Sequence, residues 1–303
     1  MDIIEEIARL KAERGAVILA HNYQLGEVQD IADYTGDSLG LSVEASRTDA
    51  RVIVFCGVWF MAETAKILCP DKIVLIPDAG AGCPMADMID VPTLRELKRL
   101  HPRAKAMCYV NSSAAVKAEC DICCTSSNAA RIAKQAFSPD EEVIFVPDRN
   151  LAAFAAREAG RGFIVHDGFC PTHDRIQPEH VRRARLEHPD AEILVHPECR
   201  LEVIDQADLA LSTGQMSSHV AASTRREFVI GTEEGMLHRL AKDNPGKVFY
   251  PLLQGAMICP NMKKTTLRKI YEGLRDMRHQ VEVEKAIADR ARAAITAMLS
   301  YKG

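Results

Sequence analysis

Aromatic residues make up only 5% of this 303-residue chain, with a single tryptophan, so it has few platforms for stacking nucleic-acid bases. Excess charge is also missing: a net charge of -4 gives no electrostatic case for a nucleic acid or an anionic membrane. There is no long hydrophobic run. The longest, Val52 to Ala62, is about half of the ~20 residues a membrane helix needs. No export signal is visible, because the opening MDIIEEIARLKAERG reads as a short amphipathic helix, acidic in its first turn. Ten cysteines without such a signal point to reduced thiols or metal ligands in a cytoplasmic protein, not to a disulfide framework. What is present is ordinary for a chain that buries a full core: 47% hydrophobic and 26% charged residues.

The cysteines are not placed at random. Cys83-Pro84, Cys170-Pro171 and Cys259-Pro260 recur 87 and 89 residues apart, each after an apolar run and a glycine-bearing loop. Other positions repeat with the same offset. The segments AVILAHNY, AKAMCYVN and AEILVHPE put Tyr23, Asn111 and Glu198 in register, with His21, Tyr109 and His196 two residues earlier. Helical stretches open near Ser38, Ser126 and Thr213, and second strands follow in RVIVFCG, EVIFVPD and EFVIGTE. A third strand leads to each Cys-Pro.

Each unit therefore reads as strand, helix, strand, helix, strand, helix. Short apolar strands alternating with amphipathic helices predict an α/β fold of three pseudo-threefold-related repeats. Each repeat is a small parallel sheet sandwiched by helices, around a central active site. The expected division is repeat 1 over 1–84, repeat 2 over 85–171, repeat 3 over 172–260, and C-terminal helices over 261–303 that close the fold. Residues 281–301 in particular read as a closing helix with alanines on its packing side. Ligands of parallel sheets bind beyond the carboxyl ends of the strands, where all the repeated polar residues fall.

Three thiolates brought together, not four, suggest an iron–sulfur cluster with one iron open to a substrate oxygen or nitrogen. Copper(I) and zinc also favour soft thiolates. The remaining cysteines serve as controls. Cys69-Pro70 is out of register and ends a helix. Cys56 and Cys108 fall in predicted strands, and Cys199 follows Glu198; all read as structural. Cys120-x-x-Cys123, beside Cys124, has zinc or redox spacing but no second pair to complete four ligands. His173, three residues after Cys170, falls close enough in sequence to sit beside a bound metal. Ser38, Ser126 and Thr213 suit a carboxylate or phosphate at helix starts, and no strong lysine or arginine clamp is evident. An electron carrier, which needs a fourth thiolate, and a small-anion-binding protein with a structural metal remain alternatives. So does a hydro-lyase acting on a hydroxy acid.

At these residues the chain resembles the quinolinate synthase family, the A proteins of de novo NAD biosynthesis. The matching segments include AHNYQ (20–24), TGDSLGLS (35–42), AGCPMAD (81–87), YVNSSAAVKA (109–118), HDGFCPTH (166–173), HPEC (196–199) and CPNMKKTTL (259–267), and they span nearly the whole chain. The resemblance implies a 4Fe-4S cluster held by Cys83, Cys170 and Cys259 with one open iron. It implies condensation of iminoaspartate with dihydroxyacetone phosphate to quinolinate, with loss of phosphate and water. It also implies coupling to an L-aspartate oxidase or dehydrogenase as the source of iminoaspartate. On this reading Glu198, His196, Tyr23, Tyr109 and His173 are catalytic, with Glu198 as general base. His21, Ser38, Asn111, Ser126 and Thr213 bind substrate.

Overall fold

The computed structural model describes residues 2–301. It contains three four-stranded parallel sheets with one shared strand order. The first is built from β1 (Ala16–His21), β2 (Tyr34–Gly36), β3 (Val52–Cys56) and β4 (Ile73–Leu75), in the order β2-β1-β3-β4. The second is built from β5 (Lys105–Tyr109), β6 (Ile122–Cys124), β7 (Val143–Val146) and β8 (Ile164–Val165), in the order β6-β5-β7-β8. The third is built from β9 (Glu192–Val195), β10 (Leu209–Ala210), β11 (Glu227–Gly231) and β12 (Val248–Pro251), in the order β10-β9-β11-β12. The fold is thus the expected α/β repeat.

The inner strands explain the pattern. β3 and β7 are buried at every residue, as continuous VIVFC and VIFV runs require when helices cover both faces of a sheet. The covering helices bury only one stripe. In Leu267–Asp276 the buried positions are Ile270, Gly273 and Leu274, three and four residues apart.

Each sheet carries one strand more than the sequence reading allowed. β2, β6 and β10 are edge strands of two or three residues, too short to show an alternating or continuous apolar run. An aspartate does the work that length does not. Asp33, Asp121 and Asp208 each accept, through Oδ2, the backbone N–H of Ile18, Ala106 and Ile193 at 2.8, 2.7 and 2.8 Å. Each returns its own N–H to the carbonyl of the same residue, at 2.9, 2.9 and 3.0 Å. This reciprocal lock pins the edge strand's register against the first strand of its repeat. The three aspartates are themselves offset by 88 and 87 residues.

The chain ends tie the repeats together. Helix Ile3–Arg14 packs on Leu267–Asp276, and both cover the outer face of the first sheet through Ile7, Leu10, Ile270 and Leu274. Helix Lys285–Leu299 packs on β6 and on the helices Ala114–Lys117 and Trp59–Leu68, burying Ala291, Ala294, Ile295 and Met298. Among the described residues no helix is long and apolar enough to cross a membrane.

One close approach fixes the third repeat against the first. A Cβ on Gly235 would lie 2.7 Å from the Tyr23 carbonyl carbon and 2.8 Å from the Gln24 oxygen. Gly235→Ala should therefore cost about 1–3 kcal/mol of stability, as overpacking against fixed backbone does. Gly162→Ala, whose Cβ meets nothing within 4 Å, is the matched control. Equal denaturation midpoints for the two variants would contradict this contact.

Candidate active site

The carboxyl ends of the strands in all three sheets face one partly open cavity of about 70 Å³. From the first repeat come His21, Tyr23, Ser38 and Cys83. Tyr109, Asn111, Ser126 and Cys170 come from the second, and His173, His196, Glu198, Thr213 and Cys259 from the third. Every site residue singled out from the sequence thus lines the same space. Cys56, Cys69, Cys108, Cys120, Cys123, Cys124 and Cys199 do not line it.

The Cys-Pro pairs have a structural logic. A short helical turn follows each cysteine, Ala86–Met88, Pro171–Asp174 and Met262–Lys264; Pro171 takes the first helical position, while Pro84 and Pro260 lie just before the caps Met85 and Asn261. These turns aim backbone N–H groups at sulfur: those of Met85 and Ala86 at Cys83, of His173 at Cys170, and of Asn261 and Met262 at Cys259. Amide donors of this kind favour thiolates. Burial opposes them and wins, pushing Cys83 up to about 12 and raising Cys170 and Cys259 as well. Three half-buried cysteines, their sulfurs approached by amide donors, fit a bound metal cluster that would supply the positive charge. A single ion fits less well. Two sulfurs on one tetrahedral zinc are about 3.8 Å apart. Among the described residues, however, the one set of three such donors lying within 4.8 Å of one another is Cys170, His173 and Glu198, not the three sulfurs.

Glu198 is the hub of the polar network. Its carboxylate accepts from Tyr109 O–H at 2.7 Å and lies 2.7 Å from His173 Nδ1, 3.5 Å from Asn111 Nδ2 and 3.5 Å from His196 Nδ1. Burial alone would raise its pKa, but His196, His173 and Tyr109 outweigh burial and hold it ionised, at about 2. Burial also keeps His196 neutral, with a pKa lowered to about 3. We therefore assign the stabilisation of the anion to the hydrogen bonds donated by Tyr109 and His173. Burial next to this anion pushes the Tyr23 and Tyr109 phenols well above their ordinary value, so both keep their protons.

A second chain of contacts runs from this hub. His173 Nε2 lies 2.9 Å from Thr232 Oγ1, and Thr232 Oγ1 lies 2.6 Å from Tyr23 O–H. Tyr23, Thr232, His173, Glu198 and Tyr109 thus form one continuous hydrogen-bonded path. His21 and His196 are equivalent residues in local conformation too. Each accepts through Nδ1 the backbone N–H two residues on, at 3.2 Å in both cases, which leaves the proton on Nε2. Burial keeps His21 neutral as well, lowered to about 3.

The helix starts behave differently from one another. Ser38 and Thr213 are the first residues of Ser38–Arg47 and Thr213–Ala222. Ser126 instead lies in a turn, three residues before helix Ala129–Gln135. Asp37 caps the first of these helices on Gly40 N–H at 2.7 Å and sits against Gly214 of the other.

Several residues of the site were not anticipated from the sequence. Thr232, Glu233 and Asp148 lie just beyond β11 and β7, in the segments EFVIGTE and EVIFVPD. The second strands also end at the site, and polar residues follow them as they follow the first strands. Asp148 is fully buried, caps helix Arg149–Ala159 through one oxygen and leaves the other without a partner. Glu233 is fully buried and ties the third cysteine loop together: it accepts Cys259 N–H at 3.0 Å and Gly235 N–H at 2.7 Å and pairs with Lys263 at 2.8 Å. Lys263 also donates to the Tyr23 carbonyl at 2.5 Å. A lysine thus stands behind the cavity wall.

The family model described as Quinolinate synthetase A protein (NadA) matches residues 5–300. Among curated proteins, the chain is 53% identical over 299 residues to the quinolinate synthase of Geotalea uraniireducens (strain Rf4), covering 99% of this chain and 97% of that one. It is 52% identical over 302 residues to the quinolinate synthase of Alkaliphilus metalliredigens (strain QYMF), covering 99% of each. It is 52% identical over 297 residues to that of Dehalococcoides mccartyi (strain CBDB1), covering 98% and 97%.

Removing Glu233 leaves two backbone N–H groups without their acceptor and the Lys263 ammonium with the Tyr23 carbonyl but no counter-charge. Glu233→Ala should therefore lose about 3–5 kcal/mol in denaturant titration, the usual cost of breaking a buried pair from one side. A loss no larger than that of an exposed ion pair would show that the Cys259 loop is held by other means.

Proposed function

The chain belongs to the quinolinate synthetase A protein family of NAD biosynthesis enzymes, and on that premise we propose that it condenses iminoaspartate with dihydroxyacetone phosphate to form quinolinate, releasing phosphate and water. The observation that carries this reading is the convergence of three repeat-related thiols and one ionised, buried carboxylate on a single cavity. Cys83, Cys170 and Cys259 would hold a 4Fe-4S cluster. When bound, the cluster supplies one iron without a protein ligand, a Lewis acid for a substrate oxygen or nitrogen.

The chain's own residues account for binding and proton movement. Glu198 is the general base: it is ionised, and Tyr109 and His173 fix its orientation. Tyr23 donates a proton to a leaving oxygen and recovers one along Thr232 and His173. Tyr109 serves a leaving oxygen on the other side of the carboxylate. Neutral His21 and His196 present Nε2–H to substrate oxygens. Asn111 Oδ1, buried without a partner, suits the N–H of an imine or amine. Ser38 and Thr213, at helix starts, and Ser126, in its turn, hold carboxylate or phosphate oxygens.

We extend the same proposal to three further points. The repeat boundaries fall at 84, 171 and 260. The enzyme works in the cytoplasm. An L-aspartate oxidase or dehydrogenase supplies the iminoaspartate.

The test is product analysis. Protein reconstituted anaerobically with iron and sulfide should form quinolinate from the two substrates. Glu198→Gln should slow turnover about 10²–10⁴-fold, as loss of a general base does, with iron content unchanged. No quinolinate from protein that holds the cluster would overturn the reaction. Wild-type turnover by Glu198→Gln would overturn the base assignment alone.

A further inference from the structure

Outside the cavity, three side chains converge on one carboxylate, that of Asp174. Arg200 donates to it twice, from Nε to Oδ1 at 3.1 Å and from Nη2 to Oδ2 at 2.7 Å, a two-pronged guanidinium pair. Asn150 Nδ2 donates to Oδ1 at 3.0 Å, and Arg149 Nη2 reaches the same oxygen at 3.3 Å. The Asn150 amide has a second acceptor: the same nitrogen donates to the backbone carbonyl of Glu198 at 3.2 Å. Both partners can only accept, so one amide orientation alone serves them. Asn150, Asp174 and Arg200 do not line the cavity.

This group holds the backbone on either side of a contact inside the site. Asp174 is next in sequence to His173, and Arg200 lies two residues after Glu198. His173 Nδ1 and the Glu198 carboxylate are 2.7 Å apart, and each is carried by one of these two segments. Neither segment is a strand. One is a helical turn of four residues, Pro171–Asp174, and the other is the loop between β9 and helix Leu201–Ile204. Asn150 and Asp174 are both buried, and Asp148 fixes where the asparagine side chain starts by accepting Asn150 N–H at 2.7 Å. At such burial a hydrogen bond is electrostatically stronger than at an exposed surface.

The repeat gives an independent reason to single out Asn150. Cys56, Val146 and Gly231 end β3, β7 and β11 and pair with Ala20, Cys108 and Val195. Four residues further on stand Phe60, Asn150 and Gly235. Gly235 is the residue whose backbone lies against Tyr23, and Tyr23 is the repeat equivalent of Glu198. The same place in the fold thus braces the polar residue beyond the first strand of the next repeat. The third repeat does so by close backbone approach, and the second does so with an amide aimed at the Glu198 carbonyl.

We propose that Asn150, Asp174 and Arg200 form a clamp that sets Glu198 against His173, with Asn150 and Arg200 as positioning residues for the general base. The proposal rests on Glu198 being that base. Asn150 holds the Glu198 carbonyl, Arg200 ties the loop after Glu198 to Asp174, and Asp174 belongs to the turn on which His173 stands. Without the clamp the carboxylate stays in the cavity but strays from the geometry in which it takes a proton. A misplacement of about 1 Å is enough to slow a reaction about 10²-fold.

The test is a double-substitution cycle on cluster-loaded protein, read anaerobically as quinolinate formed. Asn150→Ala should lower kcat about 10–10²-fold, with KM for both substrates and iron content within about twofold of wild type. In protein that already carries Glu198→Gln, the same change should lower kcat by less than about twofold, because no base is left to position. Arg200→Ala, at a half-buried position, should behave like Asn150→Ala, and Arg200→Lys, which keeps the charge but not the fork, should fall between it and wild type. If Asn150→Ala does not fold, the Arg200 variants decide. Equal fold losses in the two backgrounds, a loss confined to KM or to iron, or wild-type kcat in the single variants would overturn the clamp and leave the base assignment standing. Wild-type turnover by Glu198→Gln, or no quinolinate at all, would overturn the reading on which the clamp rests and the clamp with it.

Discussion

An ionised carboxylate buried in a protein needs donors on every side, and at Glu198 those donors come from separate parts of the chain. Tyr109 is the last residue of the second repeat's first strand, and Glu198 itself follows the equivalent strand of the third. His173 sits on the helical turn after Cys170 and reaches onward through Thr232 to Tyr23 of the first repeat. The anion is stable only if all of these arrive together. The three-sheet architecture is what brings them there, because parallel strands put their carboxyl ends on one side and the three sheets turn those sides inward. The cysteines obey the same geometry after the fourth strand of each repeat.

Much of this was legible in the sequence because the repeat supplied its own alignment. A lone histidine at a strand end carries little information. His21 and His196, 175 residues apart where Cys83 and Cys259 are 176 apart, carry a good deal, and their matching Nδ1 contacts to the backbone give the physical reason. Cys69 of the out-of-register Cys69-Pro70 ends a helix and is buried away from the cavity, as the offset implied.

What escaped the reading escaped for two reasons. The edge strands β2, β6 and β10 are too short for periodicity, and the backbone locks of Asp33, Asp121 and Asp208 that pin their register leave no apolar pattern in the sequence. Glu233 and Asp148 sit at equivalent places after the second strands, where an acidic residue next to a loop looks like an ordinary solvated charge. Only burial distinguishes them.

In the cavity, amide donors are aimed at three sulfurs, and the one protein cation acting on them, Lys263, reaches only Cys259. The claim that this arrangement is built for a cluster is tested most directly by iron content. Anaerobically reconstituted wild type and Cys69→Ser should hold about four irons per chain, with one iron whose Mössbauer signal changes on adding substrate. Cys83→Ser, Cys170→Ser and Cys259→Ser should each fail to hold that number. A full complement of iron in any one of these three variants, or its loss in Cys69→Ser, would contradict the account.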